Sequence, residues 1–301
     1  MTAAEPRRLV RETLAPFRRS SDARAFSVLG RTWGIVAAAI ALAVALDHPL
    51  ATLAAIVVIA TRQRALIAIL HTASHGVFFR TRRWNTTLQP LFAWPNLQAL
   101  ELYGPDHVIH HRDVGAATPD ALDYLNVEMG LAPGGFGRRT WRVFVRPLIG
   151  VDGLVATWET LQELAQNPRV GGKLALFWLP VVGVCAWLGA LEPLALYWFV
   201  PMVWLRPVLG LWSELADHFG TRTGTRDHVG LFQSHFVSIY GLHHALHHRD
   251  PRVPCYREAE ACAALARVGV HLETTRTFRE FLETVYGEVT WEVPPRRQQA
   301  R

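Results

Sequence analysis

Four apolar runs dominate the pattern of hydrophobic and polar positions along the chain. They are Trp33–Leu46, Leu50–Leu70 with a polar interruption at Thr61–Arg64, Leu174–Leu191, and Pro193–Trp212 with one basic residue at Arg206. A helix that crosses the hydrocarbon core of a bilayer needs about 20 mostly apolar residues. If the arginines at the interruptions snorkel toward water, the pattern predicts four transmembrane helices, at approximately 27–46, 50–70, 174–191 and 193–212.

The four runs pair into two hairpins, because only short turns separate the first run from the second and the third run from the fourth. These turns, Asp47–Pro49 and Glu192–Pro193, contain no Lys or Arg, whereas the opposite ends of the runs are rich in basic residues. The positive-inside rule therefore places both termini and the long polar segments in the cytoplasm. The predicted fold is all-α, a multi-pass membrane protein of two helical hairpins with a helical cytoplasmic cap.

The composition of the chain agrees with a membrane protein. Of the 301 residues, 50% are hydrophobic and 19% are charged, which excludes a disordered chain, a collagen-like fibre and a coiled coil. The net charge is +6, but the arginines do not alternate with aromatic residues on a polar surface, so nucleic acid is not an expected partner. We expect one domain over residues 1–301, with flexible cytoplasmic ends at 1–24 and 290–301.

Histidine carries the candidate chemistry. Among fourteen histidines are one pair and two triplets at helical spacing: His71 and His75; His107, His110 and His111; His244, His247 and His248. Residues at i, i+3 and i+4 share one face of a helix. His218, at the end of the fourth run, emerges on the same predicted side of the membrane, whereas His243 points about 100° away from His244 on a helix and is left out.

Nine imidazoles on one side of a membrane predict a metal centre. They are too many for one ion, so two ions with four or five ligands each are expected. A ligand set of histidines without thiolates suits Fe, Zn, Cu or Ni. Two alternatives are histidines on solvated helices and a membrane carrier of haem or metal. A carrier would need polar ligands near the bilayer midplane, and neither Trp33–Leu46 nor Leu174–Leu191 contains any.

The three histidine sets, with His218 between the second and third, resemble those of the membrane fatty acid desaturase and hydroxylase superfamily. The stretch from His244 to Tyr256 also looks like the third histidine box of that family and its trailing Pro-x-Val-Pro-x-Tyr sequence. The resemblance implies a non-haem site of two iron ions, with O₂ as co-substrate. Its ligands would be His71, His75, His107, His110, His111, His218, His244, His247 and His248.

Two acidic residues depart from the family pattern beside the fourth histidine position. Some relatives place an asparagine one helical turn before that histidine, where this chain has Glu214, and others place glutamate directly before it, where this chain has Asp217. We expect each of these carboxylates to orient an imidazole ring by accepting a hydrogen bond from its free N–H. The alternative is that both are helix-end acids that face water.

The resemblance implies an O₂-dependent oxidoreductase that desaturates the acyl chain of a lipid or fatty acyl thioester. A hydroxylase or ketolase of the same superfamily, acting on a carotenoid or other hydrophobic metabolite, is the alternative, and an acyl chain or amino acid of specialised metabolism is a further possibility. The chain contains no His-Pro-Gly-Gly motif of a fused cytochrome b5 domain and no cysteine cluster for an iron–sulfur centre. A separate electron donor of the ferredoxin or cytochrome b5 type is therefore expected.

Overall fold

The computed structural model describes residues 4–113, 131, 135–221, 224–237 and 239–287. These residues are mostly helical, and the helices are connected by short turns, 3₁₀ segments and three π-helical segments. The α-helices are α1 Ala4–Leu14, α2 Asp22–Leu46, α3 Pro49–Ser74, α4 Trp84–Thr87, α5 Leu100–Asp113, α6 Phe136–Thr140, α7 Arg146–Leu148, α8 Val151–Gln166, α9 Pro168–Trp187, α10 Leu191–Leu194, α11 Val200–Val203, α12 Leu205–His218, α13 His244–Arg249, α14 Glu258–Arg267 and α15 Phe278–Tyr286.

Four helical stretches are long and apolar enough to cross a membrane: α2, α3, α9 and the continuous run Leu191–His218. They coincide with the four predicted spans, as expected for an integral membrane protein. The fourth run consists of α10, a π-helical segment at Ala195–Phe199, α11 and α12. Pro201 lies two residues after that π-helical segment, and because proline has no N–H to donate, it interrupts the α-helical hydrogen-bond ladder there.

The turn between α2 and α3 is built from local capping contacts. Asp47 ends α2 in the left-handed conformation, with a φ angle of 42°. The Nδ1 atom of His48 accepts a hydrogen bond from the Leu50 N–H at 3.2 Å, and Pro49 occupies the first helical position, where its missing N–H costs nothing. The two helices then pack against each other through buried small and branched residues such as Val36 and Ile59.

The chain after α3 forms short helical turns that pack into the core of the spans. Prolines break this stretch, so several of its carbonyl groups lack a helical partner. Indole N–H groups from the spanning helices satisfy these carbonyls at 2.8–3.1 Å: Trp33 donates to Leu91, Trp178 to Trp94 and Trp198 to Pro95. Irregular backbone is thereby tolerated beside membrane helices, because its polar groups are hydrogen-bonded within the protein.

The helix α9 exposes most of its apolar surface. Leu176, Leu179 and Trp187 are among its exposed side chains, whereas Val170 and Leu174, near its N-terminal end, are buried. An exposed apolar face of this length would be unfavourable in water. It is the surface expected of a helix in contact with lipid.

The N-terminal segment differs from the flexible end predicted over 1–24. Helix α1 is followed by a 3₁₀ turn at Ala15–Arg18, and Val10 and Leu14 are buried in a cluster with Leu246 and Val253. Arg18 also forms an ion pair with the buried Asp250 at 2.6 Å. The arginines suggested a solvated tail, but the apolar residues four positions apart provide a buried face. The other predicted flexible end, 290–301, lies outside the described residues.

A small sheet departs from the all-α prediction. Strand β1, Asp227–His228, pairs in parallel with strand β2, Thr274–Thr275. Each strand has only two residues, so the sequence has no alternating pattern that would predict it. Its consequence is local, since it fixes Asp227, which contacts the helix of the third histidine set, and His228, which contacts Asp217, against the C-terminal part of the chain.

Candidate metal centre

The first two candidate ligands lie at the end of the longest buried helix. His71 is in the last turn of α3 and His75 is the residue that caps it. Gly76 then adopts a φ angle of 71°, a conformation that glycine reaches without strain, and it turns the chain away. The helical spacing brings the two imidazole rings together, with their centroids 6.0 Å apart.

The other seven candidate ligands come from α5, α12 and α13. Helix α5 carries His107, His110 and His111, α12 ends at His218, and α13 carries His244, His247 and His248. The Nδ1 atom of His218 lies 2.9 Å from the Gly224 carbonyl oxygen. A proton on Nδ1 is donated to that carbonyl, which leaves the lone pair of Nε2 free for a metal.

The nine histidines predicted from the sequence form two groups, and none of the nine is left out. Within each group the candidate ligand atoms all lie within 4.8 Å of one another. Each histidine triplet is divided between the groups, since neighbouring positions on one helix face point to different sites. One group contains His71, His75, His107, His111 and His247, and the other contains His110, His218, His244 and His248.

The distances between ring nitrogens test whether these groups fit a metal ion. In the four-histidine group, Nε2 of His244 lies 2.9 Å from Nε2 of both His218 and His248, and Nε2 of His248 lies 3.2 Å from Nε2 of His110. Imidazole nitrogens bind a divalent ion at about 2.1 Å, so two ligands at right angles would be about 3.0 Å apart. A ring of nitrogens at this spacing cannot be satisfied by hydrogen bonds alone, because each neutral imidazole has one N–H.

The five-histidine group has the same spacing. Nε2 of His107 lies 2.9 Å from Nε2 of His75 and 3.0 Å from Nε2 of His111, which lies 3.0 Å from Nε2 of His247. The ring of His71 completes this group, with its centroid 4.1 Å from that of His247. Both groups therefore fit a metal ion by donor type and by spacing.

Burial favours the neutral form of several of these imidazoles. It lowers the pKa of His75 to about 4, and burial together with the neighbouring imidazoles lowers the pKa of His107 to about 2 and that of His111 to about 3. The pKa values of His244 and His247 are lowered well below the ordinary histidine value for the same reasons. A neutral imidazole has a free lone pair, which is the form that binds metal.

The two acids considered from the sequence both contact the histidines. The Oε1 atom of Glu214 lies 3.9 Å from Nδ1 of His110 and 3.8 Å from Nε2 of His218, so this carboxylate lies at the edge of the four-histidine group. The Oδ2 atom of Asp217 lies 3.9 Å from Nδ1 of His244. Its other oxygen, Oδ1, contacts the buried ring of His228, so Asp217 does not face water.

Three positioning residues were missed by the sequence reasoning. Asp227 accepts hydrogen bonds at Oδ1 from the N–H groups of Ala245 and Leu246, at 2.9 and 3.3 Å, and so caps α13. His228 is fully buried against Asp217. Glu258, also buried, lies 3.8 Å from Nδ1 of His247, and burial beside other acids raises its pKa well above the ordinary value. None of these three residues belongs to a histidine set, and only the tertiary structure brings them next to the candidate ligands.

Asp227 also belongs to a third cluster, with His243 and Cys262. The Nδ1 atom of His243 lies 3.1 Å from Oδ2 of Asp227, and Cys262 donates to the same oxygen at 3.3 Å. His243 is therefore outside both histidine groups.

A cavity of about 330 Å³ opens beside the histidines. The metal-facing part of its lining includes His71, His107, His110 and His244. The lining also contains one cationic side chain, Arg64, and four carboxylates, those of Asp106, Glu163, Glu214 and Asp217. The space next to the metal centre is therefore small and partly polar.

The fold and the histidine groups define a helical protein with four candidate membrane spans and two groups of imidazoles that could each hold a metal ion. Comparison with known proteins identifies the family. The sequence profile of the fatty acid desaturase family matches residues 47–271, and this chain belongs to that family. Its four candidate membrane spans and its histidine clusters agree with membership of that family.

A curated relative is the dihydrorhizobitoxine desaturase of Bradyrhizobium elkanii. The two proteins are 26% identical over 227 residues, which cover 66% of this chain and 63% of the relative. The chain thus matches somewhat less than two thirds of the relative's length. The similarity supports the oxidoreductase class, whereas the reaction and the substrate are separate questions.

Proposed function

We propose that this protein is an O₂-dependent desaturase that holds two iron ions in its two histidine groups. The observation that carries the proposal is the division of nine imidazoles into groups of five and four, each with the nitrogen spacing of a metal site. Iron bound there would supply the oxidising chemistry that removes two hydrogen atoms from neighbouring carbons. O₂ would accept these two hydrogen atoms together with two further electrons and two protons, and two water molecules would form.

The residues of this chain position the ligands and shape the substrate space. The carbonyl of Gly224 fixes the His218 ring, and Asp227 fixes the start of α13. The ring of Tyr103 stacks on His107 with centroids 5.2 Å apart and forms part of the cavity wall. A rigid wall of this kind holds one carbon–carbon bond next to the metal centre and limits access of water.

Desaturation is favoured over hydroxylation by the similarity to the Bradyrhizobium elkanii protein, which is a desaturase. A hydroxylase or ketolase acting on a carotenoid or other hydrophobic metabolite is the alternative within the same family. The sequence led us to expect the acyl chain of a lipid or thioester. The size and polar lining of the cavity favour a shorter substrate.

The proposed setting is a lipid bilayer with both termini and the histidine groups in the cytoplasm. This orientation is supported by the basic residues that flank the spans on the histidine side. A separate ferredoxin or cytochrome b5-type protein would deliver the electrons. Such donors are acidic, and the arginines on that side would attract them.

The experiment combines metal analysis with product analysis. The protein is purified from a host that also expresses a ferredoxin and its reductase, and iron per chain and the visible spectrum are measured. Total lipids and polar metabolites of the host are compared by mass spectrometry, with His247→Ala as the inactive control. We expect two irons per chain, no Soret band and products lighter by two mass units. Products heavier by one oxygen atom would establish the hydroxylase instead, and a Soret band or an iron-free protein would overturn the proposal.

A further inference from the structure

Arg64 lies in the wall of the cavity beside the metal centre. It precedes His71 by seven residues on α3, so the two side chains are on one helix face and about 10 Å apart along the axis. Ala68, between them on the same face, also lines the cavity. The sequence suggested that Arg64 would snorkel toward water, but in the structure its side chain faces the substrate space.

Among the residues that the structure describes, no anionic side chain pairs with the guanidinium group of Arg64. Its Nε atom is buried and has no hydrogen-bond partner, and no described carboxylate forms an ion pair with it. Arg206, on α12, lies near enough to repel it, and the Nε atom of Arg206 donates to the Met202 carbonyl at 3.1 Å. Two neighbouring cations inside membrane helices are costly unless an anion compensates them.

The rest of the cavity wall limits what that anion can be. Asp106 and Glu163 are exposed residues of the lining, and Glu214 lies at the histidine end. These carboxylates would repel a ligand with several negative charges, such as the phosphates of a coenzyme A thioester. One carboxylate at Arg64 satisfies the cation without placing further negative charge near the acids.

The size of the cavity also favours a small ligand. At about 330 Å³, it is at the lower end of the range of about 300–1,000 Å³ for small-molecule sites. The apolar groove beside α9, lined by residues such as Leu174 and Trp178, does not share a lining residue with this cavity. A short molecule fits the described space better than a long acyl chain.

We propose that Arg64 binds a free carboxylate group of a short substrate and thereby sets which carbons face the histidines. The planar guanidinium donates two parallel N–H bonds to a carboxylate, a geometry that lysine and glutamine cannot reproduce. The carboxylate lies about two helical turns from the histidines, so the carbons that lose hydrogen are several bonds away from it. This inference rests on the proposed function, since it concerns the substrate of the same site.

The test measures binding of two matched probes to the iron-loaded protein in lipid nanodiscs. Radiolabelled hexanoate and hexanamide differ only in the anionic group, and equilibrium dialysis gives their dissociation constants. We expect saturable binding of hexanoate and at least about tenfold weaker binding of hexanamide, because charge-assisted hydrogen bonds are the stronger kind. Arg64→Gln should weaken hexanoate binding about ten- to a hundredfold and leave hexanamide unchanged.

The controls separate this inference from the proposed function. Arg62→Gln removes a cation of the same helix that does not line the cavity, and should bind hexanoate as the unmodified protein does. Arg64→Lys keeps the charge and serves if Arg64→Gln fails to fold. Equal binding of the two probes, no saturable binding of hexanoate, or an Arg64 variant with unchanged affinity would overturn the inference. Iron content is measured on every sample, so a protein without iron contradicts the proposed function independently.

Discussion

Replacement of Asp227 by alanine should loosen both metal groups although Asp227 belongs to neither. Its Oδ1 atom accepts the N–H groups of Ala245 and Leu246, which are orphan donors at the start of α13. Loss of a helix N-cap costs about 0.5–2 kcal/mol, and a buried N–H left without a partner costs about 1–3 kcal/mol. Because the two effects overlap, we expect a loss of about 2–4 kcal/mol in the free energy of unfolding.

The effect on iron follows from what α13 carries. His247 belongs to the five-histidine group, whereas His244 and His248 belong to the four-histidine group, so one misplaced helix disturbs both. Loss of a group that supports ligands typically lowers metal affinity about 10- to 100-fold. Iron per chain after dialysis against a weak chelator, and the melting temperature in detergent, measure the two consequences.

Two further variants make the Asp227 experiment decisive. Asp227→Asn keeps an oxygen that accepts the two N–H bonds, so it should retain most of the iron and most of the stability. Asp152→Ala removes an acid that pairs with Arg146 at 2.8 Å on another part of the chain, and should retain all of its iron. If Asp227→Ala held iron as tightly as the unmodified protein, the capping of α13 would not be what positions these histidines.

The remaining predictions concern individual ligands, the turn between α2 and α3, and one contact between helices. His110→Ala and His247→Ala should each abolish turnover and lower bound iron, measured by elemental analysis, and full activity of either variant would contradict the ligand assignment. His48→Ala removes only the cap of α3 and should cost about 1 kcal/mol with iron unchanged; iron loss there would contradict the proposed orientation. Gly153→Ala should lower the melting temperature, because a Cβ would overlap the Val203 carbonyl, a strain of at least about 1–3 kcal/mol; an unchanged melting temperature would show that the helices can separate.

The sequence predicts four long apolar helices and a histidine-rich cluster, and the structure has both because both signals are local. An apolar run of sufficient length defines a membrane helix wherever it packs, and helical spacing alone brings His107, His110 and His111 to one face. Which of the two groups each histidine of that face joins depends on the neighbouring helices. His110 joins His218, whereas His107 joins His75, and this follows from the positions of α3 and α12 relative to α5, which no local pattern encodes.

The residues that sequence reasoning missed act through contacts across long distances along the chain. Asp227 and Glu258 lie in segments without a helical pattern of ligands, and each becomes significant only when packed against α13. Arg64 was noticed as an interruption of an apolar run, but its role depends on Arg206, 142 positions later (206 − 64), and on the cavity between the helices. Similarly, Val10 and Leu14 become a buried face only because α14 lies beside them.

The short helix α13 connects the stability of the fold to the metal centre. A helix of six residues is not stable in isolation, because the cost of nucleation exceeds the gain from so few hydrogen bonds. Asp227 holds its first turn, and its three histidines meet imidazoles from α3, α5 and α12. Ions bound in the two groups would therefore cross-link four helices that are distant in sequence, and the binding energy of the metal would become part of the folding energy. Each histidine triplet contributes ligands to both groups. An ion in either group would therefore require α5 and α13 to be in their correct relative positions.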